Sequence, residues 1–464
     1  MADPTERLGR ASRSWLAAGA NWRRALGSTL YLVCGAGMVL VLIPVLSPYL
    51  EPSPRLDVAA APSVLATWEG SEEGPILSIL DRFQRQNHIS VSYRSAGERL
   101  PLYLADALAQ NTPPDIAILP QPGELVDLAR QDKLVPLGGI VRGRDLADTD
   151  VLWQRYASWR NRLYGVYFKV ANKSVVWYRP DLFQKAGIQA PPATLDELLG
   201  DAARLRAIGV TPFAMCGASG WTLTDWFENL YLQTAGPNAY DALATRRVPW
   251  TDPSVALALA DMAQVFSPQN AGDASVSTPY PDCVSLAFKT DSQIAMVMEG
   301  DFVQSAIQSV GRRLRAGPGG DYDFFPFPRA DRNASSSAIV GGDVAVMLRD
   351  SPQARKLIQY LATADAGRVW AAQGGFISPH RSVSDAVYPD PISRDLAAPI
   401  TTRGSLIRYD LSDQAPAAFG STVGQGEWAA LQRWLGGPSP DSPTRIAALQ
   451  AELEQDAQRA YPAP

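Results

Sequence analysis

Ser63-Val-Leu-Ala-Thr-Trp68, Ile89-Ser-Val-Ser-Tyr93 and Asp115-Ile-Ala-Ile-Leu119 are three short apolar runs. Between the first two, Ile76, Leu77, Ile79, Leu80 and Phe83 recur at helical spacing, and Leu100 to Leu108 does the same before the third. The order strand, helix, strand, helix, strand predicts a parallel sheet with helices on its faces. Ligands of such sheets sit on the loops beyond the strand ends. Here those loops are Trp68 to Glu73, Arg94 to Gly97 and Pro120 to Gly123.

Farther along, Leu163 to Phe168, Ser174 to Tyr178, Gln293 to Met298, Tyr322 to Phe327 and Ala338 to Leu348 read as strands. The last is long and carries Gly341-Gly342, which predicts a bend or a close backbone approach. Thr194 and Glu197 predict a capped helix start, Asp350-Ser351-Pro352 another, and Arg445 onward a C-terminal helix.

The chain has 464 residues, enough for two or three domains at roughly 150 residues each. Apolar residues make up 46% and charged residues 19%, so extended cores are available. The net charge of −5 argues against a nucleic-acid binder. Two histidines and three cysteines leave little for a His-rich metal site or a four-thiolate zinc site.

Arg7, Arg10, Arg13, Arg23 and Arg24 precede an uncharged run from Ala25 to Leu50. The run exceeds the roughly 20 residues a helix needs to cross a bilayer, and it predicts a transmembrane anchor with residues 1–24 in the cytoplasm. Residues 51–62 read as a linker, and the rest as an extracytoplasmic part at the plasma membrane. Two rivals are weaker. Cys34 as a lipidation site is preceded by Tyr31-Leu32-Val33 rather than small residues, and Ala59-Ala60-Ala61 as a cleavage site lies far from the apolar centre. Outside the cell, Cys216 and Cys283 are most simply one disulfide, with two buried free thiols as the alternative.

No Ser-His-Asp order, P-loop or dinucleotide fingerprint stands out. Asp225 and Glu228 as paired carboxylates would suit an anchored glycosidase, but carboxylates also accept hydroxyls in a sugar-binding site. Trp221-Thr-Leu-Thr-Asp225-Trp226-Phe227-Glu228, Trp68-Glu69-Gly70, Phe324-Phe325-Pro326-Phe327 and Trp370…Gly374-Gly375-Phe376 join aromatic faces to polar neighbours. Aromatic rings cover the C–H faces of sugars, while carboxylates and amides hold their hydroxyls. The expectation is binding without catalysis, metal or cofactor.

Six segments in order carry a resemblance: Asn111-Thr-Pro-Pro-Asp-Ile-Ala-Ile-Leu-Pro-Gln-Pro-Gly123, Asn172-Lys-Ser-Val-Val-Trp-Tyr178, Gly220-Trp-Thr-Leu-Thr-Asp-Trp226, Tyr322-Asp-Phe-Phe-Pro-Phe-Pro328, Gly341-Gly-Asp-Val-Ala-Val-Met347 and Gly374-Gly-Phe-Ile-Ser-Pro379. The chain resembles the solute-binding proteins of carbohydrate ABC importers, the family of maltose-binding protein, and is most similar to its α-glucoside-binding branch. That branch also has a cysteine pair where Cys216 and Cys283 fall. The resemblance implies the two-lobed periplasmic-binding-protein fold, α/β in both lobes, closing on one ligand. It places lobe 1 at 63–168 and 342–395 and lobe 2 at 169–341 and 396–464. The implied ligand-facing residues are Trp68, Glu69, Arg94, Gln121, Lys169, Trp221, Asp225, Trp226, Phe302, Gly341, Gly342, Asp343 and Phe376. The implied partners are a small carbohydrate and the ABC permease subunits, for a monomer tethered near them. An anchored sensor or scaffold without transport is the other reading of the same fold.

Overall fold

The computed structural model describes residues 61–272, 276–310, 313–334, 336–402 and 404–461. The anchor expected at 25–50, with its flanking segments and Cys34, lies outside the described residues. Among those described, no helix is long and apolar enough to cross a membrane.

The opening pattern forms as its periodicity requires. β1 (Ser63–Ala66) lies between β2 (Ser92–Ser95) and β3 (Ile116–Leu119), parallel to both. The Glu73–Asn87 helix, between β1 and β2, buries Ile76, Ile79, Leu80 and Phe83, one stripe at helical spacing. Further strands are β4 (Gly165–Asn172), β5 (Val175–Tyr178), β6 (Thr211–Ala214), β7 (Ile294–Met298), β8 (Asp323–Pro326), β9 (Ser337–Met347) and β10 (Leu406–Tyr409). One sheet runs β10-β9-β3-β1-β2, with β4 also paired to β9; a second runs β8-β5-β7-β6.

β9 joins the two halves. Its first part, Ser337 to Val340, pairs in parallel with β10, and its last part, Val344 to Met347, pairs antiparallel with β3. Residues 341–343 fall between those partners and are bonded along one edge to β4, with a register shift after Asp343. Separate apolar cores form on either side. One gathers Val64, Phe83, Ile118, Phe168 and Trp370, the other Phe213, Trp226, Leu259 and Leu449, and a smaller cluster holds Trp177, Cys216 and Cys283.

Gly341 and Gly342 serve packing rather than backbone freedom, since neither adopts a positive φ. A Cβ on Gly342 would meet the Lys169 carbonyl oxygen at 2.9 Å, and one on Gly341 would meet Lys173 Cε at 2.8 Å. The capped helix start predicted at Thr194 opens the Leu195–Ala207 helix. Thr194 accepts from the Glu197 N–H, while Glu197 reaches past the cap to the Ala193 N–H. Cys216 and Cys283 are bonded, with Cα atoms 5.4 Å apart, closing a span of 67 residues.

Candidate functional site

The loops after β1 and β3, with strand β4 and the Gly374-Gly375 turn, build one wall of a cleft between the halves. Trp68 follows β1 and is buried edge-on against Trp370 at 4.8 Å and Phe168 at 6.0 Å. Tyr93 donates its hydroxyl to the Trp68 carbonyl at 2.7 Å, which fixes the loop. Lys169 on β4 holds its ammonium 5.4 Å from the Trp68 ring, 5.6 Å from Trp370 and 5.9 Å from Phe302 of the opposite half. It donates to Asp343 at 2.9 Å. Burial works to lower the Lys169 pKa, but Asp343, Glu72 and Asp301 outweigh it and leave it raised. Gln121 heads the Pro122–Arg130 helix, where its buried Oε1 accepts nothing.

The opposite wall is aromatic. Trp221 opens the Trp221–Ala235 helix and packs on Tyr280 at 5.1 Å and Phe302 at 5.8 Å, and Tyr280 and Phe302 touch at 5.7 Å. The disulfide ties the turn before Trp221 to the Tyr280–Phe288 helix. The Tyr280 N–H donates to Ser219 Oγ at 3.0 Å, reinforcing the same junction. Trp221 Nε1 then crosses between the walls and donates to Glu98 Oε1 at 3.1 Å.

Buried polar atoms here lack partners: Tyr280 Oη and Asp301 Oδ2, with Gln121 Oε1 at the head of its helix, whereas the Glu299 carboxyl shares a hydrogen bond with Asp225. Burial pushes the Asp301 carboxyl up to about 7, against the opposing pull of Lys169. Burial and the neighbouring Asp225 push Glu299 well above the ordinary carboxylate range. An unpaired buried polar atom costs about 1–3 kcal/mol, so a ligand able to donate hydrogen bonds here is strongly favoured.

A second cluster lies where the chain crosses between halves. Lys173 donates to Asp410 at 2.6 Å, Asp413 at 3.0 Å and Asp225 at 3.3 Å, all buried. The ammonium occupies the centre of the carboxylate set. Its own pKa rises well above normal because these carboxylates overcome the effect of burial.

Several expected positions need correction. Trp226 is 1% exposed and packs edge-on against Phe213, Phe266 and Phe327, inside the core and away from the cleft. Asp225 is fully buried and serves the Lys173 cluster. Arg94 is exposed and lies over Tyr103 at 5.1 Å, on the outer side of its sheet; the residue of that loop that reaches the cleft is Glu98. Phe376 stacks on Trp370 at 5.0 Å and supports the wall from behind. Gly341 and Gly342 pack crossing strands. Glu69 is exposed at the rim, its Oε1 beside Gly97. Trp68, Lys169, Phe302 and Asp343 come together around the Lys169 ammonium, Trp221 packs on Phe302, and Gln121 is buried at the head of its helix. Sequence reading missed Glu98, Glu72, Tyr280 and the Lys173 cluster; the Asp410–Asp413 spacing after a strand was the available signal for the last.

Residues 69–368 match the family model described as bacterial extracellular solute-binding protein. The chain is 30% identical over 388 residues to the osmoprotective compounds-binding protein GgtB of Synechocystis, covering 81% of this chain and 88% of that one. It is 29% identical over 395 residues to the α-glucosides-binding periplasmic protein AglE of Rhizobium meliloti, covering 81% and 84%. The solved bacterial solute receptor AcbH shares the fold at a TM-score of 0.73 and 18% identity, over 86% of this chain and 99% of that one. The two-lobed arrangement is therefore that of known sugar receptors, and the chain belongs to the bacterial extracellular solute-binding proteins, among those of carbohydrate ABC importers.

Proposed function

We propose that this protein binds a small α-glucoside, one that also serves as an osmoprotective solute, between its two aromatic walls, and releases it to an ABC permease without breaking bonds. The carrying observation is the aromatic groups of the two halves meeting around one buried ammonium. Trp68 and Trp370 meet Phe302, with Trp221 and Tyr280 packed on it, around the Lys169 ammonium, and unpartnered oxygens of Asp301 and Tyr280 belong to the same junction. Rings suit the C–H faces of a sugar, and acceptor oxygens suit its hydroxyls. One relative is named for binding osmoprotective compounds and the other for binding α-glucosides, and the reading draws on both. The uncharged run at 25–50 supports tethering of the receptor beside its permease, where a short linker raises effective concentration.

Calorimetry with trehalose, sucrose and maltose tests the reading. Saturable binding of at least one, at one site per chain, is expected. No heat with any of them, from protein that still melts cooperatively, overturns it.

A further inference from the structure

We infer that Glu98 is a specificity-determining residue: with Trp221 it latches the cleft mouth over mono- and disaccharides and disfavours longer chains. The inference rests on the glucoside reading above and assigns a length limit to the same site.

Both halves of the latch are held from behind. Glu98 sits in the turn Gly97–Arg99 that follows β2. The Ala96 N–H donates to the Ala66 carbonyl at 2.8 Å and the Gly97 N–H to Ser95 Oγ at 3.3 Å. Gly97 has φ +54°, a left-handed conformation that glycine adopts without strain. Trp221 is backed by Tyr280 and Phe302, and the disulfide fixes that patch. The Trp221 ring and the turn backbone bearing Glu98 are therefore in place before they meet, which leaves the Glu98 side chain as the part ordered by the contact.

The latch faces solvent, for Glu98 is exposed and Trp221 half-exposed. The other lobe-to-lobe side-chain hydrogen bonds, Tyr156–Gln414, Gln304–Asp390 and Tyr167–Tyr409 among them, are at least partly buried, and buried glycines pack backbone across the same junction. A Cβ on Gly375 would meet Ser305 Oγ at 2.0 Å, and one on Gly123 would meet the Ala415 carbonyl oxygen at 1.7 Å. The Trp221–Glu98 bond differs from these in being exposed, so it is the lobe-to-lobe contact that a glucan outgrowing the cleft parts first. Its loss leaves the Glu98 carboxylate to water and the Trp221 N–H without its acceptor.

The test is calorimetry on the intact protein, Glu98→Ala and Glu98→Gln, with methyl α-glucoside, maltose, maltotriose and maltotetraose. For the unmodified protein the Kd is expected to rise about 10-fold or more from maltose to maltotriose, the worth of one charged hydrogen bond. Glu98→Ala should weaken maltose binding about 5-fold and shrink the preference for maltose to under about 3-fold. Glu98→Gln keeps an acceptor oxygen and should keep the ranking. Equal affinity for maltose and maltotriose in the unmodified protein, or equal weakening of every ligand in Glu98→Ala, overturns the latch while leaving the glucoside reading in place. Absence of binding at every length overturns the glucoside reading, and the latch with it.

Discussion

Five residues along an α-helix turn through roughly 140°, and that angle separates Trp221 from Trp226. Both stand in one segment with two carboxylates, and a sequence pattern alone assigns both to the ligand. The structure turns Trp221 toward Phe302 and Glu98, and Trp226 toward Phe213 and Phe327. Their substitutions should therefore separate. Trp226→Phe removes part of a buried ring, lowers stability by about 1–3 kcal/mol and leaves the Kd within about 2-fold. Trp221→Ala removes a cleft face and raises the Kd about 10-fold or more with little change in melting temperature. Calorimetry and thermal melts on the two variants give the comparison; the reverse pattern would put Trp226, not Trp221, against the ligand. Arg94 teaches the same lesson on a strand. Alternation sets its face, and Arg94 points to Tyr103 on the outside while the chain turns inward only at Glu98.

The strands are legible in the sequence because short apolar runs bounded by turn residues have few other structures open to them. Ser63, Ile116, Val175 and Ile294 each begin a strand inside a stretch the pattern marks. The long β9 is legible as a strand, while its passage from one half to the other is legible only through the family resemblance. The close backbone approach at its glycines is legible, since Gly342 lies against the Lys169 carbonyl, but the partners are not. Those partners are Lys169 and Lys173, and the contacts join segments more than 150 residues apart. The disulfide shows how an element-scale contact shapes the site, because it anchors the turn bearing Trp221 to the helix bearing Tyr280. Replacing Cys216 and Cys283 by serine should lower stability by about 4 kcal/mol on the loop-entropy model for this span. The same change should loosen the wall and weaken glucoside binding. Denaturant unfolding and calorimetry measure the two effects, and an unchanged unfolding midpoint would mean that packing alone holds the junction.

Across the whole molecule, carboxylates are buried on both sides of the hinge, and together they set how stability depends on pH. Burial, aided by Asp127, pushes Glu124 up to about 8. Burial and Asp410 push Asp413 up to about 7, and burial raises Asp301 to about 7 against the pull of Lys169. A carboxyl whose pKa is raised by folding keeps its proton in the native state after the unfolded chain has lost its own. Stability therefore falls as pH rises from the unfolded pKa near 4 through the native one. His380 opposes this below its ordinary pKa of about 6.5, because burial lowers it and the unfolded chain then binds the extra proton. Glu454, held down to about 2 chiefly by its hydrogen bond to Arg246, contributes fully above about pH 4.5 and adds no slope beyond it. These three carboxylates, joined by Glu299, Glu228 and Glu427, which burial also raises, against one histidine predict a melting temperature that declines from pH 5 to pH 8. Glu124→Gln isolates one of the three. The amide matches the neutral acid in shape, so the variant should melt with the parent at pH 5 and above it at pH 8. Thermal melts of both proteins across that range decide it, and a parent curve that stays level or climbs toward pH 8 would show that these carboxyls ionise at their ordinary values in the folded protein.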